Sequence, residues 1–101
     1  MPSLSQLRKQ IDRLDDQIVA LLNRRLGLAE QIGGLKLLNG DKVYNQQREK
    51  QLLTRLCEKQ DGLLTSLEIR SIYRQILFAS RAHQKRVFRQ PRKSIRLGHK
   101  K

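Results

Sequence analysis

The chain is poor in the residues that build disulfides, metal sites and large aromatic cores. Its 101 residues include no Trp, two Phe, two Tyr, two Pro and a single Cys. Cys57 has no partner for an internal disulfide, and no second Cys or His is spaced around it as a metal ligand. We therefore interpret Cys57 as a small apolar residue, and we expect a core built mainly from Leu and Ile.

Long apolar runs are also missing. No segment approaches the ~20 apolar residues that a membrane-spanning helix needs. The N-terminus reaches Arg8 and Lys9 before the apolar core of a signal peptide can develop. We therefore expect one small domain in a reducing compartment, the cytoplasm.

Acidic residues are scarce, and the cations are unevenly distributed. The chain has 22 Lys and Arg against 9 Asp and Glu, which gives a formal net charge of +13. Residues 85–101 hold eight of the cations and no acid, which leaves 14 cations and nine acids in residues 1–84. This asymmetry predicts a mildly basic domain over residues 1–85 and a basic, disordered C-terminal tail over residues 86–101.

The first predicted helix runs from about Leu4 to Leu38. Its apolar residues follow alternating steps of three and four, which is the spacing of one packed helix face. They are Leu4, Leu7, Ile11, Leu14, Ile18, Leu21, Leu28, Ile32 and Leu35, and we call them the apolar stripe. A capping box and a left-handed stop are predicted at its two ends, formed by Ser3 with Gln6 and by Asn39 with Gly40. A break at Gly33, which is followed by a second glycine, is the alternative.

Two shorter helices are predicted after the first. The second begins near the N-cap residue Asn45 and ends near Lys59. The third begins at Thr65 or Ser66, has a capping box between Thr65 and Glu68, and ends between Lys85 and Pro91. The predicted fold is therefore all-α, with one long helix and two shorter ones.

The length of the first helix predicts association. A helix of ~35 residues is ~52 Å long, whereas a compact globule of ~100 residues has a radius of gyration of only ~13 Å. Two shorter helices cannot cover the whole stripe, so we expect a second copy of the first helix to do so. An intertwined homodimer of this kind allows residues from both chains to build one site.

Arg25 occupies the one position of the stripe, between Leu21 and Leu28, where an apolar residue is expected. An unpaired guanidinium is costly to bury, so this position requires either an internal carboxylate or an anionic ligand. Lys36 lies eleven residues further on, which places it on nearly the same helix face ~16 Å along the axis. Together, the two side chains could clamp a small anion.

The second and third helices also direct polar groups toward the predicted interior. These are Asn45, Arg48 and Glu49 on the second helix, and Ser80 and Gln84 on the third. Each has an ordinary structural explanation when taken alone. Taken together, they describe a pocket with several cations, one carboxylate and neutral hydrogen-bonding groups, which suits a small molecule carrying more than one carboxylate.

Several of these segments resemble a known family. The residues are Leu7-Arg8-x-x-Ile11-Asp12-x-Leu14-Asp15, Leu21-Leu22-x-Arg24-Arg25-x-x-Leu28-Ala29, Ile32-Gly33-x-x-Lys36, Arg48-Glu49 and Ser80-x-x-x-Gln84. The pattern resembles the all-α class of chorismate mutases over about residues 4–85. Residues 72–82 most resemble the mutase domain of bifunctional chorismate mutase–prephenate dehydratases.

The resemblance implies the pericyclic [3,3] rearrangement of chorismate to prephenate in aromatic amino acid biosynthesis, the shikimate pathway. This reaction needs no cofactor, no metal and no nucleophile. The resemblance implies that Arg25 and Arg8 of the partner chain bind the two carboxylates of the substrate, and that Lys36 and Gln84 donate hydrogen bonds to its ether oxygen. It also implies that Glu49 accepts a hydrogen bond from the ring hydroxyl, with help from the backbone near Asn45. Arg48 and Ser80 would contact the ring carboxylate. We expect activity near neutral pH, because an amide at position 84 donates without being protonated.

Three alternatives stay open at this point. An isochorismate–pyruvate lyase on the same fold would share the two arginines and the lysine of the clamp. A basic helical nucleic-acid-binding module would use the tail to neutralise phosphates, although Phe88 is the only aromatic residue there to stack on bases. A catalytically inactive dimerisation module is the third. We do not expect nucleic acid to be the main partner.

Overall fold

The computed structural model describes residues 1–59 and 61–88. Over these residues the chain forms three helices and no strand: α1 (Leu4–Leu38), α2 (Gln46–Lys59) and α3 (Ser66–Val87). The prediction of an all-α fold with one long and two shorter helices is therefore confirmed. The first residues of the predicted tail are the end of α3 and its C-cap Phe88, and residues 89–101 lie outside the described residues.

Local side-chain chemistry sets both ends of α1. The backbone N–H of Gln6 donates to Ser3 Oγ at 3.1 Å, and the N–H of Ser3 donates to Gln6 Oε1 at 2.8 Å, which confirms the capping box. At the other end Asn39 is the C-cap, and Gly40 follows with φ of +79°. Residues with side chains rarely adopt that conformation, so glycine ends the helix at little cost. The helix continues without a break through Gly33.

The shorter helices begin as predicted. The Asn45 side chain accepts the N–H of Arg48 at 3.0 Å and caps α2. Thr65 Oγ1 accepts the N–H of Glu68 at 3.1 Å, and Glu68 Oε1 accepts the N–H of Thr65 at 2.9 Å, which completes the capping box of α3.

Helix α3 packs against both α1 and α2. Leu52 of α2 and the α3 residues Ile69 and Leu77 are the buried hydrophobic residues of the described chain. Gly33 is the buried residue of α1. The α1 face that meets α3 differs from the apolar stripe: it consists of buried Gly33 and of the partly covered residues Leu22, Leu26 and Ala29.

The apolar stripe of α1 is not covered within one chain. Its nine residues remain between 43% and 63% exposed. The radius of gyration over Cα atoms is 18.4 Å, well above the ~13 Å of a compact chain of this length. Monomeric soluble proteins rarely expose so long a contiguous apolar surface, so the stripe is a candidate interface. No helix in the described ranges is long and apolar enough to cross a membrane.

Candidate active site

The predicted site residues fall into two groups by exposure. Five are partly buried, and they come from all three helices: Arg25, Lys36, Glu49, Ser80 and Gln84. Three are exposed in the single chain: Arg8, Asn45 and Arg48. Arg8 lies in the N-terminal half of α1, whereas Arg25 and Lys36 lie in its C-terminal half, where α1 has its partly buried residues.

Gln84 is held between α3 and α1. Its Nε2 donates to the backbone carbonyl of Ala29 at 2.6 Å. Its Oε1 is buried and has no hydrogen-bond partner among the described residues. The close approach depends on Gly33, because a Cβ at that position would lie 2.6 Å from Gln84 Oε1. The glycine that weakens α1 locally therefore makes room for this amide.

Arg25 and Lys36 keep much of their binding capacity free. The Arg25 guanidinium carbon lies 5.9 Å from the centre of the Tyr73 ring, at the outer limit of a cation–π contact. Lys36 Nζ donates to the carbonyl of Val43 at 3.3 Å, which leaves two of its three N–H donors. Neither side chain is in an ion pair within the described part of the chain, which favours an anionic ligand over an internal carboxylate for Arg25.

Glu49 has a partner that the sequence interpretation missed. Arg81 Nη1 donates to both carboxylate oxygens of Glu49, at 2.8 and 2.9 Å. The guanidinium carbon of Arg81 also lies 5.3 Å from the centre of the Tyr44 ring. A signal for it existed in the sequence, because Arg81 follows Leu77 by four residues and so continues the buried face of α3.

His83 also acquires a partner that the sequence did not indicate. Its Nε2 lies 2.9 Å from Glu30 Oε1, so the contact joins α3 to α1 one residue before Gln84. The two residues are 53 positions apart in the chain. Spacing within one helix cannot reveal a pair of this kind, because it depends on how the two helices cross.

A groove of about 530 Å³ lies between α2 and α3. Its charged lining residues are Glu49, Lys50, Arg74 and Arg81, so cations outnumber carboxylates three to one. Of the predicted site residues only Glu49 lines it, so the groove of a single chain holds one part of the predicted site. Among the residues that the structure describes, no group of three His, Cys, Asp or Glu side chains could hold a metal ion.

The arrangement suits binding and orienting an anion. The partly buried groups include two cations, a neutral amide and a carboxylate that is already paired with Arg81, and groups of these kinds act on a ligand through charge and hydrogen bonds. Such a site stabilises developing negative charge on an oxygen without transferring a proton.

Comparison with known proteins identifies the family and the fold of this chain. Residues 7–85 match the chorismate mutase type II family. The chain is 32% identical over 91 residues to the bifunctional chorismate mutase/prephenate dehydratase of Aquifex aeolicus, covering 86% of this chain and 25% of that protein. The chain thus spans about a quarter of that relative's length.

Two solved structures share the fold. Chorismate mutase (form II) from Thermus thermophilus superposes with a TM-score of 0.79 at 31% identity, covering 82% of this chain and 94% of that one. The Helicobacter pylori chorismate mutase in complex with prephenate also gives a TM-score of 0.79, at 29% identity over 86% of this chain and 94% of that one. The resemblance seen in the sequence is confirmed: the chain belongs to the chorismate mutase type II family.

Proposed function

We propose that this chain is a chorismate mutase, an isomerase that converts chorismate to prephenate. The observation that supports the proposal is that Arg25, Lys36, Glu49 and Gln84 are all partly buried and come from three helices of one small domain. They lie in a chain of the chorismate mutase type II family, and a solved relative of the same fold is in complex with prephenate.

The rearrangement breaks the ether C–O bond while a new C–C bond forms, and no proton has to move. Catalysis therefore consists of holding the reactive conformer and stabilising charge on the ether oxygen. Lys36 and Gln84 are the proposed donors to that oxygen. Both retain capacity for it, since Lys36 has two further N–H donors and the Gln84 amide has one beyond its bond to Ala29.

The remaining proposed roles concern binding of the substrate. Arg25 holds one carboxylate, and bidentate geometry would fix its orientation as well as its charge. Glu49 accepts a hydrogen bond from the ring hydroxyl, with the backbone near Asn45 alongside. Arg48 and Ser80 contact the ring carboxylate. A domain over residues 1–85 carries all of these groups.

A second copy of the chain completes the site in this proposal. The exposed stripe of α1 supplies the surface for an intertwined homodimer. Arg8 lies seventeen residues before Arg25, a rotation of about −100° around the helix, so the two side chains do not share a face. Arg8 of the second copy would therefore reach the substrate bound near Arg25. We place the enzyme in the cytoplasm, where a lone thiol such as Cys57 stays reduced.

The direct test is a chorismate assay with prephenate identified as the product. The wild type is compared with Arg25→Ala and with Arg24→Ala, a matched control because Arg24 is the exposed neighbour of the same residue type. We expect turnover by the wild type and by Arg24→Ala, and a loss of about 100-fold or more in kcat/KM for Arg25→Ala. Pyruvate release from isochorismate without prephenate formation from chorismate would instead establish the lyase.

A further inference from the structure

Arg81 and Glu49 form the ion pair that links α3 to α2. One guanidinium nitrogen contacts both carboxylate oxygens, at 2.8 and 2.9 Å. The side chains are 37% and 21% exposed, so the contact is partly shielded from water. Arg81 is held on its other side by the ring of Tyr44, at 5.3 Å from the ring centre. The guanidinium is therefore constrained by two partners.

The pairing leaves Glu49 able to accept from a ligand. An ionised carboxylate offers about four lone-pair sites, and the contacts from Arg81 use two of them. Two remain for a hydroxyl donor, and the Glu49 side chain keeps 21% of its surface exposed to receive one. Because both oxygens contact the same nitrogen, rotation of the carboxylate would break at least one of the two bonds.

The pairing also solves an electrostatic problem. A carboxylate in a site for a dianionic substrate repels that substrate, and burial strengthens the repulsion. The cation of Arg81 lies against the carboxylate and balances its charge. Glu49 can then serve as a hydrogen-bond acceptor while the site as a whole stays attractive to anions.

We propose that Arg81 is a positioning residue of the mutase reaction: it orients Glu49 toward the ring hydroxyl of the substrate and neutralises the Glu49 charge. This inference rests on the function proposed above. Arg81 acts through Glu49 and is not assigned a contact with the reacting atoms, so its effect should require the carboxylate at position 49.

A double-mutant cycle on the 101-residue chain tests this dependence. The variants are Arg81→Met, Glu49→Gln and the two combined, with Arg55→Met, an exposed arginine on α2, as matched control. We expect each single site variant to lose about tenfold or more in kcat/KM, mainly through KM, since the affected contact binds the substrate. The kcat/KM of the double variant should be no lower than that of the less active single variant, because the losses caused by residues that act as a unit are not additive. Arg55→Met should match the wild type.

A conservative variant and a fold control separate positioning from a structural role. Arg81→Lys keeps the charge but not the shape of the guanidinium, so it should recover part of the lost kcat/KM. Circular dichroism and size-exclusion chromatography establish that each variant keeps its helices and assembly. If Arg81→Met does not fold, Arg81→Lys and Arg81→Gln complete the same cycle with Glu49→Gln.

The outcomes distinguish the two proposals. Normal wild-type turnover with additive losses at positions 81 and 49, or with Arg81→Met matching the control, overturns the positioning role and leaves the mutase function intact. A folded wild type without turnover overturns the mutase function and, with it, the role of Arg81.

Discussion

Gly33 and Gly34 are neighbours in α1, yet the structure gives them opposite tolerance for a side chain. A Cβ on Gly33 would lie 2.6 Å from Gln84 Oε1 and 2.7 Å from Phe88 Cε2, whereas a Cβ on Gly34 would meet nothing within 4 Å. Gln84 is a proposed donor to the ether oxygen, and its Nε2 already bonds to Ala29 at 2.6 Å. We therefore predict that Gly33→Ala damages catalysis and that Gly34→Ala does not.

The expected sizes follow from two opposing effects. Replacing a glycine inside a helix by alanine stabilises it by ~1 kcal/mol. At Gly34 this gain is unopposed, so the melting temperature should rise by about 4 °C or more. At Gly33 the displaced Gln84 and Phe88 side chains cost about 1–3 kcal/mol, which cancels or reverses the gain. Loss of the correct Gln84 position should reduce kcat by about tenfold or more, equivalent to ~1.4 kcal/mol of transition-state stabilisation.

The assay combines thermal unfolding at one fixed protein concentration with chorismate turnover. Fixed concentration is needed because unfolding of an oligomer depends on it. Gly34→Ala is the matched control, being the same substitution one residue further along the same helix. If Gly33→Ala is as stable and as active as Gly34→Ala, the close packing of Gln84 against α1 is not what holds the amide in place.

The remaining predictions concern the second copy of the chain and the charge state at position 84. If Arg8 acts across the dimer, mixing inactive Arg8→Ala and Arg25→Ala chains under exchange conditions should restore about a quarter of wild-type sites, since half of the dimers are mixed and each has one intact site. If no activity is restored, Arg8 and Arg25 do not act across the dimer. The turnover rate of Gln84→Glu should rise as the pH falls, whereas that of the wild type should not require acid. A carboxyl group donates a hydrogen bond only when it is protonated, and a Glu side chain ordinarily titrates near pH ~4.3. A wild type that is active only in acid would contradict the donor role of the amide, and Gln75→Glu, outside the proposed donors, controls for added charge.

Local chemistry made the helices predictable. The capping pairs Ser3–Gln6 and Thr65–Glu68 need only residues three positions apart, so the sequence alone was enough to place them. Gly40 ends α1 because its φ angle of +79° is one that residues with side chains rarely adopt. We predict that α1 continues through Gly33 because Leu35 and Leu38 continue the apolar period. The reason for a glycine at that position, the close approach of Gln84 from α3, is visible only in the structure.

The candidate site was predictable only in part. Arg25 stood out because a cation interrupts an apolar period, and the structure confirms that it is partly buried. The roles of all eight predicted site residues stay predictions. The link between Arg81 and Glu49 spans 32 positions, and the link between His83 and Glu30 spans 53. Periodicity describes one helix at a time and carries no information about such pairs.

The sequence by itself determined the number, type and ends of the helices, because caps and apolar periods act over three or four residues. It also determined the family, through polar residues at fixed spacing on three helices. The tertiary structure decided which face of α1 packs within the chain and which stays exposed. It also decided that Glu49 is paired with Arg81 and that Gln84 closes onto Gly33. These contacts depend on how the helices cross, and the crossing is set by the packing of all three surfaces together.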